Sequence, residues 1–122
     1  MPVGISPDVK AMVASEGLNA GSYINIYSNA GVQNARLADA SNDRPAHGFV
    51  KNAFLTGETA SIYFEGANDD LAGLTVGARY YLGTAGLATI TPRTAAGLHQ
   101  FLGIAISTTE INTDIDDEIV IL

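Results

Sequence analysis

The stretch "GLTVGARYYLGTAGLATITP", residues 73–92, decides how the chain folds. It holds two adjacent tyrosines, a Gly-containing turn and alternating threonines, with no acid, thiol or histidine among them. Chemistry has little to work with here, so the order of residues serves shape. "ARYYLG" and "LATIT" read as two strands joined by the turn "TAG". Leu74 and Gly77 set a turn ahead of the first strand, Tyr80 or Tyr81 fills the core, and Gly86 closes the hairpin at positive φ, which glycine adopts without strain.

Working outward, the same words recur. "LNAGSYINIYSNAGVQ" (18–33) echoes "LTVGARYYLGTAGLAT" (74–89): Leu-x-x-Gly, a strand, Ala-Gly, then a second strand. "GFVKNA" at residue 48 echoes "GIAIST" at residue 103, and "SIYFEG" at residue 61 echoes "EIVIL" at residue 118. Two related halves of four strands each are therefore expected, since neither half buries its apolar face alone while two facing halves enclose one core. Alternation supports the strands. Ile24 and Ile26 share one face against Tyr23, Asn25 and Tyr27; Ala35 and Leu37 flank Arg36; Ala60, Ile62 and Phe64 oppose Ser61, Tyr63 and Glu65. About eight short strands with turn signals between them predict an all-β fold, a compact sandwich or barrel.

Residues 1–17 differ from the rest. "SPDVKAMVASEG" reads as a short helix with Ser6 as N-cap and Pro7 at the first helical position. It reads equally as an extended arm, because Val9, Ala11 and Val13 alternate. The segment is too short for a stable lone helix, which favours an arm over 1–17 ahead of a single β domain over 18–122.

A chain of 122 residues suits one domain, and a hydrophobic fraction of 47% is ample for a core. Thirteen acids against six bases give a net charge of −7. Scattered cations on an acidic chain do not build a nucleic-acid interface, which needs clustered Lys and Arg, nor a basic membrane-binding face. "MPVGISPDVK" lacks the basic start and apolar run of a secretion signal, so folding in a cytoplasm is expected. With no cysteine, stability has to come from packing and association.

Chemistry has few candidates. His47 and His99 precede Gly48 and Gly103, in roughly matching places of the echo, and neither has a carboxylate at ligand spacing. They read as turn or interface residues. "NTDIDDE" (112–118) alternates Asp114, Asp116 and Glu118, as a cation loop would, but lacks the central Gly and distant Glu of an EF-hand. It reads as a solvated loop beside an edge strand. "NDRPAHGF" (42–49), with Arg44, Pro45 and His47, is the strongest functional loop. No catalytic residue, metal site or cofactor is expected, and no enzyme.

Several words then occur in order: "LADASNDRPAHGFV", "LTVGARYYLGTAGLATITP", "QFLGIAIS" and a terminal "IVIL". Over residues 18–122 the chain resembles small β proteins of tailed bacteriophages, which serve as head-decoration (cement) proteins and as β modules of fibres or tails. The resemblance implies a virion protein on the capsid surface, made in the host cytoplasm, bound to the major capsid protein and to itself as a homotrimer. The arm would order on the shell, with Val9, Met12, Val13, Arg44 and His47 as partner contacts. The alternative it implies is a tail, baseplate or fibre component acting as an adhesion module.

Overall fold

The computed structural model describes residues 9–115 and 119–122. Within them the protein is all-β, with one 3-10 turn at Ala40–Asn42 and no α-helix. The strands are β1 (Val9–Ala14), β2 (Tyr23–Asn29), β3 (Val32–Leu37), β4 (Gly48–Phe49), β5 (Thr59–Tyr63), β6 (Gly66–Asn68), β7 (Arg79–Leu82), β8 (Ala88–Thr89), β9 (Leu98–Ala105), β10 (Ile111–Thr113) and β11 (Ile119–Ile121). The first five close into a barrel in the order β1-β3-β2-β4-β5. The others form an open sheet, β6-β10-β9-β7-β8, with β11 laid along β9.

The echo in the sequence is a structural repeat. Starting from each hairpin, the first sheet runs β3-β2-β4-β5-β1 and the second β8-β7-β9-β10-β6, so one five-strand order occurs twice. Individual hydrogen bonds repeat as well. The Gly21 N–H donates to the Val50 carbonyl at 2.8 Å, as Gly77 does to Ala105 at 2.7 Å. Val50 donates to Ser22 at 3.1 Å, as Ala105 does to Ala78 at 3.1 Å. Both hairpins turn on an Ala-Gly pair with positive φ at each residue: Ala30 53° and Gly31 82°, then Ala85 52° and Gly86 76°. Two such residues in a row are the mark of the turn whose twist matches that of the flanking strands.

Two parts of the expected layout change. Gly48 and Gly103 each lie so close to the next strand that an added Cβ would overlap a backbone carbonyl, that of Tyr63 or of Asn112, and the Cγ2 of Ile62 or Ile111. The counterpart of β5 is therefore β10, not "EIVIL", and β11 stands outside the repeat. Each repeat has five strands rather than four. The fifth strand of the first repeat comes from the segment read as an arm: β1 pairs antiparallel with β5 from Val9↔Tyr63 to Val13↔Thr59 and parallel with β3 at Val13↔Asn34 and Ala14↔Ala35. Its backbone is extended, as the alternation implied, but it covers edges of β3 and β5 that would otherwise present unpaired N–H and C=O groups. Residues 1–8 lie outside the described residues. The second repeat stays open because β6 and β8 are only three and two residues long and pair only with β10 and β7.

Three apolar clusters follow from this arrangement. Inside the barrel lie Leu18, Ile24, Val50 and Ile62 with Met12, Ala14, Ala35 and Ala60. Their counterparts Leu74, Tyr80, Ala105 and Ile111 pack together in the second repeat. Tyr80 is thus the core-filling tyrosine, while Tyr81 lies on the other face and is half-buried. Between the repeats, Tyr23 and Phe49 meet Leu82, Leu98 and Leu102, with Ala38, Ala40 and Ala46 filling the narrow gaps.

Two glycines separate conformation from space. Gly77 has φ 83° with open surroundings, so Gly77→Val tests backbone strain alone and is expected to cost at least ~1–2 kcal/mol. Gly103→Ala tests close approach and is expected to cost about 1–3 kcal/mol by overpacking. Denaturant melts of the two variants measure both; a Gly103→Ala protein as stable as the parent would remove the close-approach reading of the repeat.

Candidate functional surface

The loop singled out in the sequence, residues 42–49, is a clasp between the repeats. Asp39 starts it by capping the 3-10 turn: its Oδ1 accepts from the Ser41 N–H at 2.9 Å and from the Ser41 hydroxyl. Its Oδ2 accepts from the Ala85 N–H at 3.2 Å, in the hairpin of the other repeat. Arg44 closes the loop by a backbone bridge, donating to the Asp39 carbonyl at 3.0 Å and accepting from the Asp39 N–H at 2.8 Å. Partial burial pushes the Asp39 carboxyl upward, but the Ser41 and Ala85 donors and the Arg44 charge together outweigh it, leaving its pKa below the ordinary value.

Farther along, the buried Gln100 side chain on β9 grips Ala46 as a neighbouring strand would. The Ala46 N–H donates to Gln100 Oε1 at 2.8 Å and Gln100 Nε2 donates to the Ala46 carbonyl at 2.9 Å. A glutamine amide suits this task because it carries one acceptor and donors in the spacing of a peptide group. Gly86 completes the seam: its N–H donates to the Ala38 carbonyl at 2.6 Å and its carbonyl accepts from Tyr23 at 2.9 Å. A Cβ at Gly86 would lie 2.9 Å from the Tyr23 carbonyl oxygen, so the opening stretch of the sequence serves inter-repeat docking as well as its own hairpin. The Tyr23 hydroxyl, deep in the seam, shares a hydrogen bond of 2.9 Å with Thr113, and burial raises its pKa.

The histidines take structural places. His47 Nδ1 accepts from the Ile26 N–H at 2.9 Å, which requires that nitrogen to be unprotonated. The residue is exposed, and the burial it does have beside β2 lowers its pKa. His99, on β9, packs against the Tyr81 ring at 5.1 Å between centroids. Among the described residues no three His, Asp, Glu or Cys side chains come together as metal ligands. Of the acidic segment, Ile111–Thr113 is strand β10 and Asp114 is exposed, while Asp116, Asp117 and Glu118 lie outside the described residues.

The remaining expected contacts divide by strand alternation. Val9 and Val13 are exposed on β1, and Val13 lines a shallow groove with Ala11, Val32 and Thr59. Met12 is buried inside the barrel, because neighbours on a strand point to opposite faces, and so it is corrected from partner contact to core. The surface missed at sequence level is the outer face of the second sheet, where Arg79, Tyr81 and Phe101 form a cluster. The Arg79 guanidinium lies 4.1 Å from the Phe101 ring centre, and its Nε donates to the Tyr81 hydroxyl at 3.2 Å. Their signal was alternation across two strands, legible only once β7 and β9 are known to be neighbours.

Gln100→Ala would strand a buried N–H and a buried C=O on Ala46, and is expected to cost about 2–5 kcal/mol, read from denaturant midpoints. Stability should also fall with acidity in two windows. His47 favours the fold while neutral, so its contribution is full above the unfolded value of about 6.5 and fades as pH falls through the lower folded value. Asp39 favours the fold while ionised, so its contribution is full above about 4 and fades as pH falls through its depressed folded value. His47→Gln should flatten the upper window and Asp39→Asn the lower one in melts taken across pH.

No protein-family model matches the chain, and no curated protein sequence matches it. Its fold is similar to that of the N-terminal base of the head fibre protein gp8.5 of bacteriophage phi29, a crystal structure, with a TM-score of 0.61. That likeness covers 89% of this chain and 95% of the other at 12% sequence identity, and it is a likeness of fold.

Proposed function

We propose that this protein is a non-enzymatic structural component of a phage virion, which decorates the capsid exterior and stabilises it by binding across subunits of the major capsid protein. The observation that carries this reading is the fold shared over nearly the whole chain with the base of a phage head fibre, together with the sequence words that resemble phage head and tail modules. The physical character of the molecule suits the role. Its loops are tied down by backbone and amide hydrogen bonds, its histidines pack against neighbours, and its polar groups hold strands together. A shell under outward load needs stiff cross-links in many copies, and many weak contacts then act as one strong attachment.

The contacts assigned to the shell are Val9 and Val13 with the groove beside Val32, on the wall that β1 closes. Arg44 and His47 lie on the clasp loop and serve the fold first. Self-association as a homotrimer belongs to the same proposal, as does placement on the capsid surface after synthesis in the host cytoplasm. A second reading, a tail, baseplate or fibre component acting as an adhesion module, is favoured by one specific observation: the similar structure is the base of a fibre.

Labelled protein imaged on intact particles separates the two. Decoration expects copies over the whole head, whereas a fibre or tail part expects few copies at discrete attachment points. A Val9→Glu, Val13→Glu double variant is expected to lose at least about tenfold in affinity for isolated shells with its melting unchanged. Unaltered shell binding by that variant would remove the β1 wall as the attachment surface.

A further inference from the structure

The two repeats differ at the seam between their outermost strands. In the first, β1 and β3 pair in parallel over only two residue pairs, Val13↔Asn34 and Ala14↔Ala35, and that pairing closes the barrel. In the second, their counterparts β6 and β8 do not meet. Past Asn68 the chain keeps to the loop that leads into β10, where the Leu71 N–H donates to the Thr109 carbonyl at 3.1 Å.

The edge left open is that of β8. Ala35 and Ala88 are counterparts, since Ala35 pairs with Ile26 and Ala88 with Leu82, two residues beyond the matching core positions Ile24 and Tyr80. Leu87 turns both its backbone groups toward β7, donating to the Thr84 carbonyl at 3.1 Å and accepting from the Gly83 N–H at 2.8 Å. Successive residues of a strand turn these groups to opposite sides, so the N–H and C=O of Ala88 point away from β7. In the first repeat the Ala35 carbonyl has a partner there, the Ser15 N–H at 2.9 Å. Beside the open edge is a cleft of about 290 Å³, lined on the second repeat by Asp70, Leu71, Leu74, Leu87 and Ala88. Side chains that closure buries in the first repeat are left half-buried here: Leu18 is 2% exposed and Ala35 fully buried, whereas Leu74 and Ala88 are neither.

We propose that this edge takes an added β-strand, an extended segment of another protein that pairs with β8 as β1 pairs with β3. Unpaired backbone groups select an extended peptide, and the cleft beside them selects an aliphatic side chain. Charge selects the polar residues of that segment. Asp70 lines the cleft, its neighbour Asp69 is exposed as well, and no Lys or Arg is among the lining residues, so the segment that fits carries a base and no acid. β1, the strand of this chain made for such an edge, is already paired on both sides, with β3 and β5. Strand addition is a property of the protein alone and does not rest on the virion reading.

The probe is an acetylated and amidated peptide with the sequence of Val9–Ala14, VKAMVA, titrated into the whole isotope-labelled protein and followed by amide NMR shifts. Saturable shifts are expected at Leu71, Leu87, Ala88 and Ile90. Leu87→Glu, at an exposed position, and Ala88→Pro, which removes an outward N–H as edge strands tolerate, are each expected to raise the dissociation constant at least about tenfold at unchanged melting temperature. The same peptide with Lys10→Glu is expected to bind about threefold more weakly or worse. Val32→Glu, on the exposed wall of the first repeat, serves as the control and leaves binding unchanged. Absence of saturable shifts at millimolar peptide overturns the proposal, as do shifts confined to β3 and β5 through exchange with β1, or binding indifferent to both substitutions at β8. Equal binding of the two peptides overturns the choice of a basic segment. Failure of shell binding with peptide binding intact would count against the virion reading and not against this one.

Discussion

The packing of Tyr23, Phe49 and Tyr63 of the first repeat against the second repeat is what the rest of the structure depends on. Tyr23 and Phe49 lie 5.9 Å apart between ring centres and Phe49 and Tyr63 5.8 Å, a continuous aromatic row across three strands. Each large side chain removed from water is worth about 1.5–3 kcal/mol, and neither repeat alone has anything to cover it. Alanines at 38, 40 and 46 let the clasp loop pass between the layers, and the Gln100 amide then satisfies the backbone that this passage buries. Remove that contact and the barrel keeps a wet aromatic face while the second sheet loses its floor.

From that constraint follows the character of the surface. Polar groups are distributed along the seam as strand substitutes, caps and bridges. His47 completes a strand edge, Asp39 caps a turn and reaches the opposite hairpin, and the Tyr23 and Thr113 hydroxyls share a hydrogen bond. Exposed apolar side chains lie on both repeats, among them Val9 and Val13 on the β1 wall and Ile104 on the outer face of the second sheet.

Much of this was legible in the order of residues, for local reasons. The hairpins were readable because Ala-Gly pairs between alternating strands demand positive φ. The repeat was readable because Leu-x-x-Gly and the following strand recur at nearly constant spacing. Three strands were not readable. β1 lay in a segment whose alternation fitted a free arm, since nothing in "VKAMVA" says that β3 and β5 await a partner. β6 and β10 are three residues each, set in acidic or Asn-rich stretches, and their strand state is imposed by pairing with each other and with β9.

The sequence by itself determined the strands with strong alternation, their turns, the all-β class and the absence of clustered cations, because these depend on neighbours along the chain. Tertiary structure decided which face of each strand met another layer, so that Met12 turned inward, Tyr80 rather than Tyr81 filled the core, and Tyr23 was buried while Arg79, in the same place of the second repeat, was not. The reason is physical. A strand offers two faces of nearly equal reach, and which one is buried depends on a covering layer that folds in from a distant part of the chain.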